Sequence, residues 1–272
     1  MNKVKTYNIM GDKDDVKVID AVVSKYLERS DDPDVLFVVG GDGVILDPHI
    51  KSEAIKTPVI RVHYKANSLK SLGFTADVNR SNLEQAIVDL KNGDYVYDVV
   101  KLLKCQVQEK RRKRLLGFAL NDVGLEGYAR GTSILFKTTI QRPDGRVEVL
   151  PTPKCTGAVI TGPYGSPAWN LSLNGPIVVD LELQCLLVDF RESPLKPDKF
   201  VVSSKDVINI KVLNECVVKV DRAEHVIRKG QTLIVSVSET CIKFIKTANT
   251  RESLMDKILR FNKYQYERVR EK

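Results

Sequence analysis

The sequence predicts an α/β domain, then an all-β domain, then a closing helix. Three observations carry this expectation. Across residues 1–97 short apolar runs alternate with segments of helical periodicity. Across 98–250 strand-like segments succeed one another with turn residues between them, and across 251–272 helical spacing returns.

The elements follow in order. "KVKTYNIM" is a short strand. In "DDVKVIDAVVSKYLER" the residues Val16, Ile19, Val22, Val23, Tyr26 and Leu27 share one helical face, and Asp14 and Asp15 suit the first turn. "SDDPD" ends that helix. "VLFVV" is a continuous apolar run of the kind a parallel strand buried on both faces prefers, and "TPVIRVHY" reads as another strand. "SNLEQAIVDLKNGDY" predicts a second helix, with Ser81 as N-cap, Glu84 three residues on and Gly93 near its end. Strands alternating with helices predict a βαβ-type open sheet.

From about Val96 the pattern changes. "YVYDVVKLLKCQVQ", "RLLGFALNDVGL", "SILFKTTIQR", "RVEVLP", "CTGAVITG", "PIVVDLELQCLLVDF", "VINIKVLN", "CVVKVD", "QTLIVSVSE" and "CIKFIKT" all read as strands, with turn signals such as "RPDG" at 142–145. A sandwich is the expected architecture. One short helical pattern interrupts it at "GSPAWNLSL". In "TRESLMDKILRFNKYQYERVR" the helical spacing places Leu254, Ile258, Leu259 and Phe261 to dock on a core.

The 272 residues suffice for two medium domains, and 43% hydrophobic with 29% charged content is ordinary for a soluble chain. No apolar run approaches the roughly 18–20 residues of a membrane helix. The N-terminus has no signal-peptide pattern, and the five scattered cysteines fit a reduced, cytoplasmic compartment. Three histidines at no recognisable metal spacing give no support to a dedicated zinc site, so no protein-held metal is expected. The net charge of +8 leaves two readings open: polyanionic partners or a charge-rich solvated surface. The basic run Lys110 to Arg114 reads as a solvated hairpin tip. It contains no aromatic residue, so a stacking platform for nucleic acid is not expected.

The chemistry concentrates where "VLFVV" runs into Gly40-Gly41-Asp42-Gly43. A strand ending in glycines lets backbone N–H groups face an anion such as phosphate. A carboxylate inside such a turn repels phosphate, so its useful tasks are to take a proton from a hydroxyl or to organise a metal. A turn aspartate bonding its own backbone is the bland alternative. Neither the P-loop pattern nor the spaced dinucleotide fingerprint occurs. A second stretch, "TGAVITGPYGSPAWNLSLNGPIVVD", places Gly162, Pro163 and Gly165 before Ser166-Pro167 at an expected helix start, whose N–H groups suit an anion. Trp169, the only tryptophan, has two readings: filling the core, which its spacing favours, or stacking on a base.

The order GGDG, "SLGF" (71–74), "LNDV" (120–123) and "TGAVITGPYGSPAWNLSLNGPIV" resembles the ATP-dependent NAD kinase family. That family carries GGDGT, LGF, LNE and DG…TPTGSTAYSLSAGGPIV in this order, and the resemblance extends from the first strand to the terminal helix. It implies a Rossmann-like α/β domain followed by a β-sandwich, with transfer of the γ-phosphate of ATP to the adenosine ribose 2′-hydroxyl of NAD. It further implies Mg2+ accompanying ATP and a homodimer or homotetramer, with inorganic polyphosphate as a further donor. By the same resemblance Asp42 is the catalytic base, and Gly40, Gly41 and Gly43 form the phosphate-binding turn. Phe74 lies beside the adenine, Asn121 and Asp122 hold NAD, and Ala168, Trp169 and Ser172 touch the nucleotide.

The sequence departs from that pattern at several places. Val44 replaces the Thr after GGDG. Ser68 and Lys70 stand where Asn and Gly are usual, and Asp122 replaces a Glu. Thr156 replaces the Asp of "DG", and Tyr164 and Pro167 replace both Thr residues of TPTGST. "VDR" at 220–222 stands for another DG. These losses leave Asp42 untouched. They keep two alternatives open: a superfamily kinase acting on another hydroxyl, and a non-catalytic NAD(P)-binding sensor.

Overall fold

A computed structural model of the chain describes residues 2–63, 76–128, 132–151, 154–194, 196–253 and 255–259. Phe74, Ser68 and Lys70, with the rest of "SLGF", lie outside the described residues, as do Leu254 and Phe261. The chain divides into two compact units. One comprises residues 1–100 together with 241–272, the other residues 101–240.

In the N-terminal unit the strands Thr6–Gly11, Val35–Val39 and Val59–His63 pair in parallel. Thr6–Gly11 also pairs with Glu28–Arg29, and Val59–His63 with Val78–Asn79. Phe244, in the long strand Thr232–Thr247, pairs in parallel with Val59. Val35–Val39 and Val59–His63 are buried along their whole length, as the apolar run "VLFVV" requires of a strand covered on both faces. Ile19 and Val23 of helix Lys13–Val23 and Leu83, Ala86, Ile87 and Leu90 of helix Leu83–Asn92 close this core.

Three local expectations are corrected. Helix Lys13–Val23 stops short of "YLER", because Glu28–Arg29 pairs as a strand. Asn82, not Ser81, precedes the helix Leu83–Asn92. Its side-chain oxygen accepts from Asn79 N–H, while the Ser81 hydroxyl donates to Asn79. A further helix, Pro48–Lys56, lies in a stretch with no clear apolar period. It starts because Asp47 accepts the N–H groups of His49 and Ile50, with Pro48 in its first turn.

In the C-terminal unit two antiparallel sheets enclose one apolar core. The first has six strands in the order Lys199–Ser203, Cys185–Arg191, Gly157–Thr161, Asp122–Gly127, Cys216–Val220 and Ala223–Ile227. The other runs Val147–Val149, Phe136–Gln141, Val207–Val212 and the first part of Thr232–Thr247. Phe136 of one sheet and Phe190 of the other meet with ring centroids 5.6 Å apart, which fastens the sandwich. In "PIVVDLELQCLLVDF" only Cys185–Arg191 forms a strand, and "QTLIVSVSE" and "CIKFIKT" form a single strand. Tyr95–Glu109 and Arg112–Ala119 make a hairpin whose exposed tip is the basic run.

Residues 255–259 are helical, but Leu259 is 57% exposed and Lys257 is the buried residue, so the expected docking face is corrected there. Lys257 and Lys246 both pair with Asp77. Among the described residues no helix is long and apolar enough to cross a membrane.

Candidate active site

Asp42 lies in the N-terminal unit, directly after the buried strand Val35–Val39. Gly40 takes φ +131°, a backbone region closed to most side chains. A Cβ there would come within 2.5 Å of Asp12 Oδ2 and 2.7 Å of a Val44 methyl. Gly41 is extended (φ −67°, ψ 171°), and Asp42–Leu46 closes into a tight 3-10 turn with half-buried Val44 inside it. The Gly40 N–H donates to Val62 O (2.9 Å), and the Val44 N–H donates to Gly41 O (3.0 Å). Asp42 heads this turn, half-buried, where a carboxylate complements the positive end of the peptide dipoles.

The turn is held from below by Arg61. Arg61 is 3% exposed. It donates to Val38 O (3.3 Å), Gly40 O (3.3 Å) and Gly41 O (2.7 Å). From its sequence "TPVIRVHY" reads simply as a strand. The available signal was a cation in the middle of an otherwise apolar run.

Asn121, Asp122, Ala168, Trp169 and Ser172 lie in the C-terminal unit. Asn121 and Asp122 stand where strand Arg112–Ala119 passes into strand Asp122–Gly127. The carboxylate of Asp221 accepts the N–H groups of Leu120 (2.8 Å), Asn121 (2.9 Å) and Asp122 (3.3 Å). Asp221 reaches them from a left-handed turn (φ 53°), and its own N–H donates to Asp122 O (3.0 Å). The Asn121 carbonyl accepts from Thr161 Oγ1 at 2.6 Å.

Asp122 is 7% exposed. Burial, and then the neighbouring Asp221 carboxylate, push its carboxyl up to about 7, while a hydrogen bond from the Trp169 N–H pulls the other way. That bond also corrects the expectation of a helix start open to an anion. Ser166–Asn170 is a short helical stretch broken at Ala168 (φ −89°, ψ −121°). Its N–H groups are used internally: Ser166 donates to Pro163 O, Ala168 to Gly165 O and Trp169 to Asp122. Pro167 has none to give. The Ser166 hydroxyl donates to Pro163 O and accepts from Val178 N–H, and Asn170 Nδ2 bonds Ser166 O and Pro176 O. Tyr164 is half-buried in the preceding turn, and exposed Ser172 donates to Trp169 O at 2.7 Å.

Trp169 lies outside the apolar core, so the core reading is corrected. Its half-buried ring rests on Gly124, where a Cβ would come within 2.2 Å of Cζ3. Arg191 and Lys219 approach the ring to 5.2 Å and 5.8 Å, and Glu126 bridges both cations. The Thr156 N–H donates to Arg191 O (3.1 Å), while its hydroxyl is buried without a partner among the described residues.

Comparison with known proteins returns a consistent relationship, although no family model matches the chain. It is 31% identical over 246 residues to the NAD kinase of Clostridium beijerinckii, covering 88% of this chain and 77% of that protein. Its fold matches yeast NADH kinase complexed with NADH (TM-score 0.76, 17% identity, 96% of this chain and 89% of that one). It also matches the Archaeoglobus fulgidus NAD kinase in complex with ATP (TM-score 0.69, 16% identity, 90% and 95%). The sandwich, the GGDG turn and the similarity along most of the chain lead to one assignment: this chain belongs to the NAD kinase family.

Proposed function

We propose that the protein phosphorylates NAD, transferring the γ-phosphate of ATP to the adenosine ribose 2′-hydroxyl to give ADP and NADP. The observation that carries this reading is the 31% identity to an NAD kinase over 88% of the chain, with GGDG at the end of a buried parallel strand. Asp42 is the base. It takes the proton of the 2′-hydroxyl as that oxygen bonds to phosphorus and the bond to the ADP oxygen breaks. The glycine turn binds phosphate, while Asn121, Asp122, Ala168, Trp169 and Ser172 serve the dinucleotide.

Mg2+ enters as the companion of ATP. Among the described residues no group of three or more His, Cys, Asp or Glu side chains forms a metal cage. A magnesium ion that keeps its waters and leans on substrate phosphates needs only one or two carboxylates. Asp12, whose Oδ2 lies against Gly40, would be the carboxylate to hold it. When bound, the ion screens the phosphate charge. A cytoplasmic homodimer or homotetramer completes the proposal.

The test is NADP formation from NAD, ATP and Mg2+ by the purified protein, with Asp42→Asn in parallel. Turnover in the parent and its loss in the variant support the assignment. Binding of NAD(P) without ATP consumption points instead to a sensor. ATP consumption only with another acceptor points to a kinase of different specificity.

A further inference from the structure

Two adjacent glycines before Asp42 leave its backbone with no side chain to fix it, and glycine loses more conformational freedom on folding than any other residue. Something else must hold the turn in one shape. The strand Val59–His63 is buried at all five positions, where an apolar residue is the ordinary occupant, yet its centre is Arg61. Burying a guanidinium is costly unless its N–H groups find acceptors. Arg61 sits opposite Val38 in the parallel register. From there it reaches the carbonyls of Val38, Gly40 and Gly41, and the last of these bonds, at 2.7 Å, is to the residue immediately before Asp42. On the other side Gly40 is confined by Asp12 and Val44.

We infer that Arg61 is a positioning residue for phosphoryl transfer: its planar fork locks the Gly40 and Gly41 carbonyls and so sets where Asp42 presents its carboxylate. The inference rests on the reading of Asp42 as the base. The fork matters as much as the charge. A guanidinium presents five N–H donors in fixed directions, whereas an ammonium is a single rotating point charge. By drawing carbonyls inward, Arg61 also turns the turn's peptide dipoles so that their positive ends face away from it, as a phosphate requires.

The experiment uses the full-length protein with Arg61→Met, Arg61→Lys and Asp42→Asn, measuring kcat and KM for NAD and ATP together with thermal melting. Misplacing a reacting group by about 1 Å costs roughly 10²-fold in rate. Arg61→Met is therefore expected to lower kcat by about that factor, with KM for NAD within about threefold of the parent and the folded state intact at the assay temperature. Arg61→Lys, which keeps the charge and loses the fork, is expected to fall between the two. If Arg61→Met does not fold, Arg61→Lys decides. A variant that melts earlier but whose folded fraction turns over at the parental kcat overturns the inference, because a merely structural clamp gives that result. Asp42→Asn separates the two claims. Retained turnover there defeats the base assignment, whereas a dead Asp42→Asn beside fully active Arg61 variants defeats only the positioning role.

Discussion

The turn at Gly40–Gly43 and the strand junction at Leu120–Asp122 are built by the same device with opposite sign. At the first, a buried cation gathers three carbonyls, those of Val38, Gly40 and Gly41. At the second, an anion gathers three amides, those of Leu120, Asn121 and Asp122. Both meet one need: the Gly40 and Gly41 carbonyls and the Leu120 and Asn121 amides lie beyond the strands, and a charged side chain takes the place of a ladder partner there. The difference teaches what each leaves for a ligand. Carbonyls drawn inward turn the N–H ends of the same peptides the other way, which is the polarity an anion needs. Amides drawn inward turn the carbonyl ends of the same peptides outward, which is the polarity that hydroxyl and amino donors need.

The largest expected effect is at Asp42, where Asp42→Asn should lower turnover by roughly 10²–10⁴-fold with no change in melting. A comparable loss of fold would mean the carboxylate belongs to the turn's architecture, as Asp221 does to its own. Next, Asp221→Ala removes three charge-assisted hydrogen bonds and leaves amides without an acceptor. A loss of about 2–3 kcal/mol is expected in denaturant unfolding. A change below about 0.5 kcal/mol would break the symmetry between the two devices.

A third prediction concerns pH. Asp122 in the folded protein is raised to about 7, against about 3.9 for an unfolded aspartate. The folded state therefore holds a proton that the unfolded state has lost. This contribution is complete below about pH 4, declines by at most ~1.4 kcal/mol per pH unit as pH rises, and is gone above about 7. Melting followed from pH 4 to 9 should show that decline, and Asp122→Asn should flatten it. In Asp221→Ala the decline should end at lower pH, because one of the two causes of the shift is removed. The smallest effect is expected from Thr156→Asp. Replacing a hydroxyl that has no partner among the described residues with a carboxylate should tighten NAD binding by about tenfold or less. An unchanged dissociation constant in calorimetry would remove Thr156 as an explanation of specificity.

Part of this was legible in the chain and part was not. "VLFVV" before GGDG identified a buried strand ending in a glycine turn, because periodicity and glycine both act locally. The sandwich followed from strand-like runs at regular intervals, yet Lys199–Ser203 and Ala223–Ile227 passed unrecognised, as charged sheet edges usually do. The Asp221 clamp is invisible in the sequence for a different reason. Asp221 and Leu120 are 101 residues apart, and no spacing rule connects a side chain to a backbone amide across that distance. Trp169 misled because its spacing resembles a core residue, while its ring rests on Gly124 between two cations.

The return of the chain at Cys241 has a consequence for biosynthesis. The N-terminal unit draws on residues after 240: Phe244 pairs with Val59, Asn249 bonds Asp89, and Lys246 pairs with Asp77. Residues 101–240 must leave the ribosome before those partners exist. At ordinary synthesis rates this interval is on the order of ten seconds. For that time the nascent first hundred residues carry an incomplete sheet, so their exposure to chaperones and proteases is set by the pace of translation rather than by their own folding rate.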